Sequence, residues 1–115
     1  MIDLNEIAEE CEKYSEMRVE NGARIDIDPL KHCAGELFEA VDAREYFNLI
    51  RHFKSVSISE KTTLEEAKNS YADELMDAMY CLLLACHKDG IDVEKSLLKN
   101  IDKNRKRALC IGDKK

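Results

Sequence analysis

Residues 71–86 read YADELMDAMYCLLLAC, and this stretch decides the predicted fold. No charged residue occurs between Ala78 and Cys86, so every face of a helix formed there would be apolar. A helix that is apolar all round is normally buried on all sides. We therefore expect a core helix. We also expect the chain to form an oligomer, because a domain this small would otherwise expose one face of that helix to water.

Two acidic residues stand at the front end of this helix. Glu74 and Asp77 are three residues apart, as are Glu36 and Glu39 on another apolar segment, and this spacing puts each pair on one helix face. Carboxylates on core helices need partners, because unpaired buried charge is very costly. Hard divalent cations such as Mg²⁺ prefer carboxylate and water oxygens. The two pairs therefore predict a bound cation, although solvated helix faces explain the same spacing in a chain with 24 acidic residues.

The length and composition indicate one helical domain that spans residues 1–115. One proline, four glycines and no tryptophan favour helices over a loop-rich β fold. The net charge of −6 argues against a general binder of nucleic acid or membranes. Five cysteines without a CxxC pair indicate free thiols in a reducing compartment, so we expect a cytoplasmic protein.

Helix starts are marked by acids or hydroxyls that can accept hydrogen bonds from the first backbone N–H groups. They are Asp3, Asp28 before Pro29, Thr62 and Thr63 with Glu65 and Glu66 three residues on, and Asp92. Helix ends are predicted near Gly22 and Gly90. The pattern predicts an all-α fold with four main helices in a bundle. Residues 46–53 either continue the second helix or form a fifth short helix, and residues 54–61 are predicted to form a loop.

A basic and amide stripe is predicted on the last helix. Asn100, Lys103, Asn104 and Arg107 recur at i, i+3, i+4 and i+7, so they lie on one side of it. These side chains could hold phosphate oxygens. The helix dipole is a simpler explanation for basic residues near a helix C-terminus. The Glu-x-x-His motif of di-iron bundles is absent from the sequence, as are a phosphate-binding glycine loop and a zinc signature.

Three segments carry a family resemblance. GELFE at 35–39, DELMD at 73–77 and KNRKR at 103–107 together resemble the MazG-like family of all-α nucleoside triphosphate pyrophosphohydrolases, which includes dimeric dUTPases and dCTP pyrophosphatases. The resemblance covers roughly residues 29–108.

The resemblance implies a reaction and a set of site residues. The implied reaction is hydrolysis of an NTP or dNTP to the monophosphate and pyrophosphate by a homodimer or homotetramer. The implied ligands of Mg²⁺, or of Mn²⁺ in its place, are also the catalytic carboxylates, Glu36, Glu39, Glu74 and Asp77. The implied contacts to the triphosphate are Lys103, Asn104 and Arg107.

Two departures from the family pattern keep alternatives open. Gly35 stands where many members carry a second acid, and residues 46–61 make the gap between the acidic motifs long. These departures favour a catalytically silent helical module that binds a protein or a nucleotide. A third hypothesis, a purely structural bundle, predicts that all four carboxylates are exposed. Base stacking and core packing both explain the aromatic character of the long segment, at Tyr46, Phe47, His52 and Phe53.

Overall fold

The computed structural model describes residues 2–22, 28–52 and 63–110, which form four α-helices and no β-strand. The helices are α1 (Leu4–Glu20), α2 (Pro29–His52), α3 (Leu64–Lys88) and α4 (Val93–Leu109). The predicted all-α class is therefore confirmed for the described part of the chain. None of these helices is long and apolar enough to span a bilayer.

The segment between the two acidic motifs is helical in its first part. α2 runs without interruption to His52, so Tyr46 and Phe47 extend the second helix and do not start a short fifth one. Phe53 and the loop predicted for residues 54–61 lie outside the described residues.

The predicted capping residues lie at the helix starts. The side chains of Asp3 and Asp92 accept hydrogen bonds from backbone N–H groups in the first turns of α1 and α4. Asp28 accepts the N–H of the second residue of α2 at 3.0 Å. Thr63 and Glu66 form a reciprocal capping box, with N–H to side-chain oxygen distances of 3.1 and 3.3 Å. The overlapping box predicted at position 62 lies outside the described residues.

The contacts divide the chain into two compact units, one of residues 1–22 and 83–115 and the other of residues 23–82. The first unit holds α1, the end of α3 and α4. In this unit Asn5 joins two helix starts, because its side chain donates to Asp92 Oδ1 at 3.0 Å and accepts the N–H of Val93 at 2.8 Å. Lys88 Nζ lies 3.2 Å from Glu12 Oε1 in the same unit.

The second unit pairs α2 with the first part of α3. Cys33 near the start of α2 donates from Sγ to the Ala78 carbonyl at 3.6 Å, whereas Phe47 near the end of α2 stacks on Tyr71 with ring centroids 5.9 Å apart. Because later residues of α2 meet earlier residues of α3, the two helices are antiparallel. Small side chains, Cys33, Ala78 and Cys81, form a buried cluster between them.

Within a single copy of the chain, residues 78–86 are not buried on all sides. Met79 and Leu82 are each 47% exposed. The buried members of the run are Ala78, Cys81, Leu83, Leu84 and Ala85. The physical reason is that contact with α2 covers only one face of this part of α3. Met79 and Leu82 directly follow the contact residues Ala78 and Cys81, so they lie beside the contact and not in it.

Candidate metal centre

Three of the four predicted carboxylates come together in the second compact unit. One oxygen from each of Glu36, Glu39 and Glu74 lies within 4.8 Å of the other two. Two of these residues come from α2 and one from α3, so the antiparallel pairing of the helices brings the two acidic motifs face to face. We call Glu36, Glu39 and Glu74 the carboxylate triad. Asp77 is exposed, one turn further along α3 and outside the triad.

Two members of the triad are partly removed from solvent. Glu36 and Glu74 are half-buried, and each has an Oε2 atom that is buried without a hydrogen-bond partner. Such an oxygen has lost its water without gaining a donor, which costs free energy. The purely structural hypothesis expected all four carboxylates to be exposed, and Glu36 and Glu74 do not meet that expectation.

Burial and mutual repulsion disfavour the charged form of the triad. Burial raises the pKa of Glu36 above its ordinary value, and the hydrogen bond and charge of Glu39 raise it further. Burial also raises the pKa of Glu74, with Glu39 and then Asp77 adding to the effect. Each of these groups would be stabilised in its charged form by a nearby cation.

His32 is the basic side chain that contacts the triad. Its Nε2 atom lies 3.0 Å from Glu36 Oε1, and its charge, when present, partly offsets the rise in the pKa of Glu36. Among the described residues, no lysine or arginine forms an ion pair with the triad. The pairing of His32 with Glu36 was not predicted from the sequence. The signal was its position four residues before Glu36, which places both side chains on one helix face.

The α2–α3 pair has a carboxylate side and an apolar side. In two antiparallel helices, residues directly before the contact residues lie on one side and those directly after lie on the other. Glu39 and Asp77 directly precede the buried residues Ala40 and Ala78, so they share the carboxylate side. The other side carries exposed apolar residues, each of which directly follows either a buried residue or a member of the triad. They are Leu37, Val41, Leu75, Met79 and Leu82.

Gly35 leaves space on the carboxylate side. It directly precedes Glu36, and a Cβ atom built at this position would meet no atom within 4 Å. Packing therefore does not require glycine here. A residue with a Cβ atom would meet no steric obstacle from that atom at this position.

The predicted phosphate contacts lie in the other compact unit. Lys103, Asn104 and Arg107 are exposed on α4, which has no buried residue. The Asn104 amide donates to the backbone carbonyl and the side-chain oxygen of Asn100 at 2.9 and 2.8 Å. This local pair confirms that the two amides share one stripe of the helix.

The basic residues of this part of α4 are not equivalent. Arg105 and Lys106 both pair with Asp102, at 3.1 and 3.0 Å. Within the described part of the chain, neither Lys103 nor Arg107 forms an ion pair. The two cations named by the family resemblance are therefore those whose charge the neighbouring aspartate does not neutralise.

Phe47 is used in packing. Its ring stacks on Tyr71 at an interplanar angle of 26°, and the Arg51 guanidinium lies 4.8 Å from the Phe47 ring centroid. Tyr46 is half-buried, whereas His52 is exposed at the end of α2. For Phe47, these contacts agree with core packing, the simpler of the two explanations.

Comparison of the chain with models of protein families, with curated proteins and with solved structures gave no match. The resemblance to the MazG-like family therefore depends on the three segments at 35–39, 73–77 and 103–107. Any functional conclusion depends on the chemistry of these segments and on the geometry of the triad.

Proposed function

We propose that this protein is a Mg²⁺-dependent nucleoside triphosphate pyrophosphohydrolase of the MazG-like type. It would convert an NTP or dNTP to the monophosphate and pyrophosphate. The observation that carries the proposal is the convergence of Glu36, Glu39 and Glu74, with two buried oxygens that lack a donor. The proposal includes a four-helix bundle of the pyrophosphohydrolase type, a homodimer or homotetramer, and a cytoplasmic location.

The residues of the triad fit a hard cation. An octahedral Mg²⁺ ion with ligands at about 2.1 Å separates its ligand oxygens by about 3 to 4 Å. The triad oxygens already lie within 4.8 Å of one another, so small side-chain rotations would complete the site. An all-carboxylate donor set suits Mg²⁺ or Mn²⁺ better than a softer metal. Glu36, Glu39 and Glu74 would hold the ion, and Asp77 would act as a further ligand directly or through water.

The protein's own groups have defined roles in this proposal. Bound Mg²⁺ would supply charge neutralisation of the triphosphate and a water of lowered pKa. The exposed carboxylate of Asp77 lies outside the triad and is available to orient a water or accept its proton. Lys103, Asn104 and Arg107 would stabilise the negative charge that develops on the leaving pyrophosphate.

The direct test is pyrophosphate release from a panel of NTPs and dNTPs, measured with Mg²⁺ and with a chelator. We expect release that the chelator abolishes, and the best substrate would identify the preferred base and sugar. A folded protein that releases no pyrophosphate from any of these nucleotides would contradict the proposal.

The second candidate is a catalytically silent helical module that binds a protein or a nucleotide. Gly35 favours it, because the extra acid of many family members is missing there although a Cβ atom at this position would meet no other atom within 4 Å. This candidate predicts that Mg²⁺ alone does not change the thermal stability. The enzyme should be stabilised by Mg²⁺ together with a non-hydrolysable nucleotide, because both would bind only the native state. Thermal unfolding with Mg²⁺ alone separates the two candidates, because a nucleotide would also stabilise a silent module that binds nucleotides.

A further inference from the structure

α2 carries an apolar face that the described chain leaves open to solvent. Phe38 is 75% exposed, the highest fraction among the large apolar residues of α2. Leu30, Leu37 and Val41 are exposed next to it, on the same part of the helix surface. We call Leu30, Leu37, Phe38 and Val41 the α2 face. Large exposed apolar patches are often covered by a partner, so we asked what could cover this face.

Opposite charges stand at equal distances on either side of Phe38. Lys31 is seven residues before it and Glu45 is seven residues after it. Seven residues make about two helical turns, so the three side chains follow one line along α2. Lys31 and Glu45 are both exposed, and the described ion pairs include neither of them. Along this line a cation, an aromatic ring and an anion therefore follow one another, with the ring at the midpoint.

This pattern is complementary to itself. When two such helices pack antiparallel about a two-fold axis at Phe38, Lys31 of each copy meets Glu45 of the other copy. The two Phe38 rings then meet at the axis. A parallel arrangement would instead place Lys31 against Lys31 and Glu45 against Glu45, and like charges in contact disfavour it.

We propose that the α2 face docks a second copy of this chain in that antiparallel, two-fold arrangement. The proposal specifies the contact surface and its register, and it does not depend on the proposed reaction. Leu37 and Val41 lie on the opposite side of the α2–α3 pair from Glu39 and Asp77. The contact would therefore leave the carboxylate side of each copy accessible.

The test is the molar mass of the full chain, measured by light scattering and sedimentation velocity over a range of concentrations without added metal. We expect the wild type to form dimers or a multiple of dimers. We expect Lys31→Glu and Glu45→Lys to weaken association by about tenfold or more each, because each places like charges in contact across the interface. The double variant should recover most of the wild-type affinity, since it restores the opposite charges with the sites exchanged.

Two further variants complete the design. Phe38→Asp should have half the wild-type molar mass, because it places two carboxylates at the two-fold axis and breaks this contact. Glu9→Lys changes the charge as much as Glu45→Lys does, at an exposed position on α1, and should leave the mass unchanged. Circular dichroism checks that each variant is folded.

A wild type that is monomeric at all concentrations would overturn the inference. So would a Phe38→Asp variant that keeps the wild-type molar mass, or a double variant that associates more weakly than both single variants. Because the readout is mass and not pyrophosphate release, failure of this inference is distinguishable from failure of the proposed reaction.

Discussion

Glu12 on α1 and the carboxylate triad both contain buried carboxylate oxygens without a hydrogen-bond partner, but the charged groups around these oxygens differ. The side chains of Glu12 and Glu36 are buried to a similar degree, 17% and 16% exposed, and each has a buried Oε2 atom without a hydrogen-bond partner. Glu12 has a lysine partner, because its Oε1 atom lies 3.2 Å from Lys88 Nζ. Glu36 has His32, and it also has two carboxylates close by. A partly buried acid alone therefore does not indicate a cation site. The proposed cation site depends instead on three carboxylates that lie close together without a lysine or arginine partner among the described residues.

The largest expected difference between the two regions is in activity. Glu74→Ala should abolish chelator-sensitive pyrophosphate release, because it removes one carboxylate of the triad. Glu12→Gln is the matched control, since it removes one similarly buried carboxylate outside the triad, and it should retain the wild-type rate at a temperature where it is folded. Initial rates with the best nucleotide provide the measurement. If Glu74→Ala hydrolyses nucleotides as well as the wild type, the triad is not the catalytic site.

His32 allows a finer test of the triad. His32→Ala should weaken Mg²⁺ binding by about tenfold, the lower end of the range for groups that orient a metal ligand. His32→Gln should bind nearly as tightly as the wild type, because its amide can still donate a hydrogen bond to Glu36. Titration calorimetry measures both affinities. Equal binding by His32→Ala and the wild type would show that Glu36 does not need this contact.

The smallest effects are on stability, and they should have opposite signs in the two regions. The pKa of Glu74 is raised in the folded state, so the stability associated with its protonated form is present at low pH and is lost as the pH rises through that raised pKa. Without metal, Glu74→Gln should therefore become more stable relative to the wild type as the pH rises from about 4 to about 7. Glu12→Gln should instead lose up to about 1 kcal/mol near neutral pH, because Lys88 loses its ion-pair partner.

Urea denaturation as a function of pH measures this contrast. The useful quantity is the change in the free energy of unfolding for each variant relative to the wild type. A Glu74→Gln variant that is less stable than the wild type at neutral pH without metal would show that the triad carries no net repulsion.

The helix starts could be predicted because they depend on local interactions, whereas the end of α2 at His52 was left open. Asp3, Asp28, Thr63 and Asp92 each cap a helix through atoms within three residues in sequence. The triad could also be predicted in part, because the spacing of each acidic pair places both of its members on one helix face. That the two faces would meet was implied by the family resemblance, and the antiparallel pairing of α2 with α3 brings them together.

Burial could not be predicted in the same way. Met79 and Leu82 belong to an uncharged run, yet they are exposed, since burial depends on which other elements cover a helix face. An apolar run shows that burial of a helix face would be favourable, but it does not identify the element that covers the face. His32 was missed because a histidine among apolar residues is compatible with packing, catalysis and ion pairing alike. Only its distance to Glu36 distinguishes these roles.

The most direct test of the central claim, that the triad is a cation site, is calorimetric titration of Mg²⁺ into chelator-treated, metal-free protein. The wild type and Glu12→Gln should show saturable binding with the same affinity, whereas Glu74→Gln should show none over the same range. Binding by Glu74→Gln that equals the wild type, or no binding by a folded wild type, would contradict the claim.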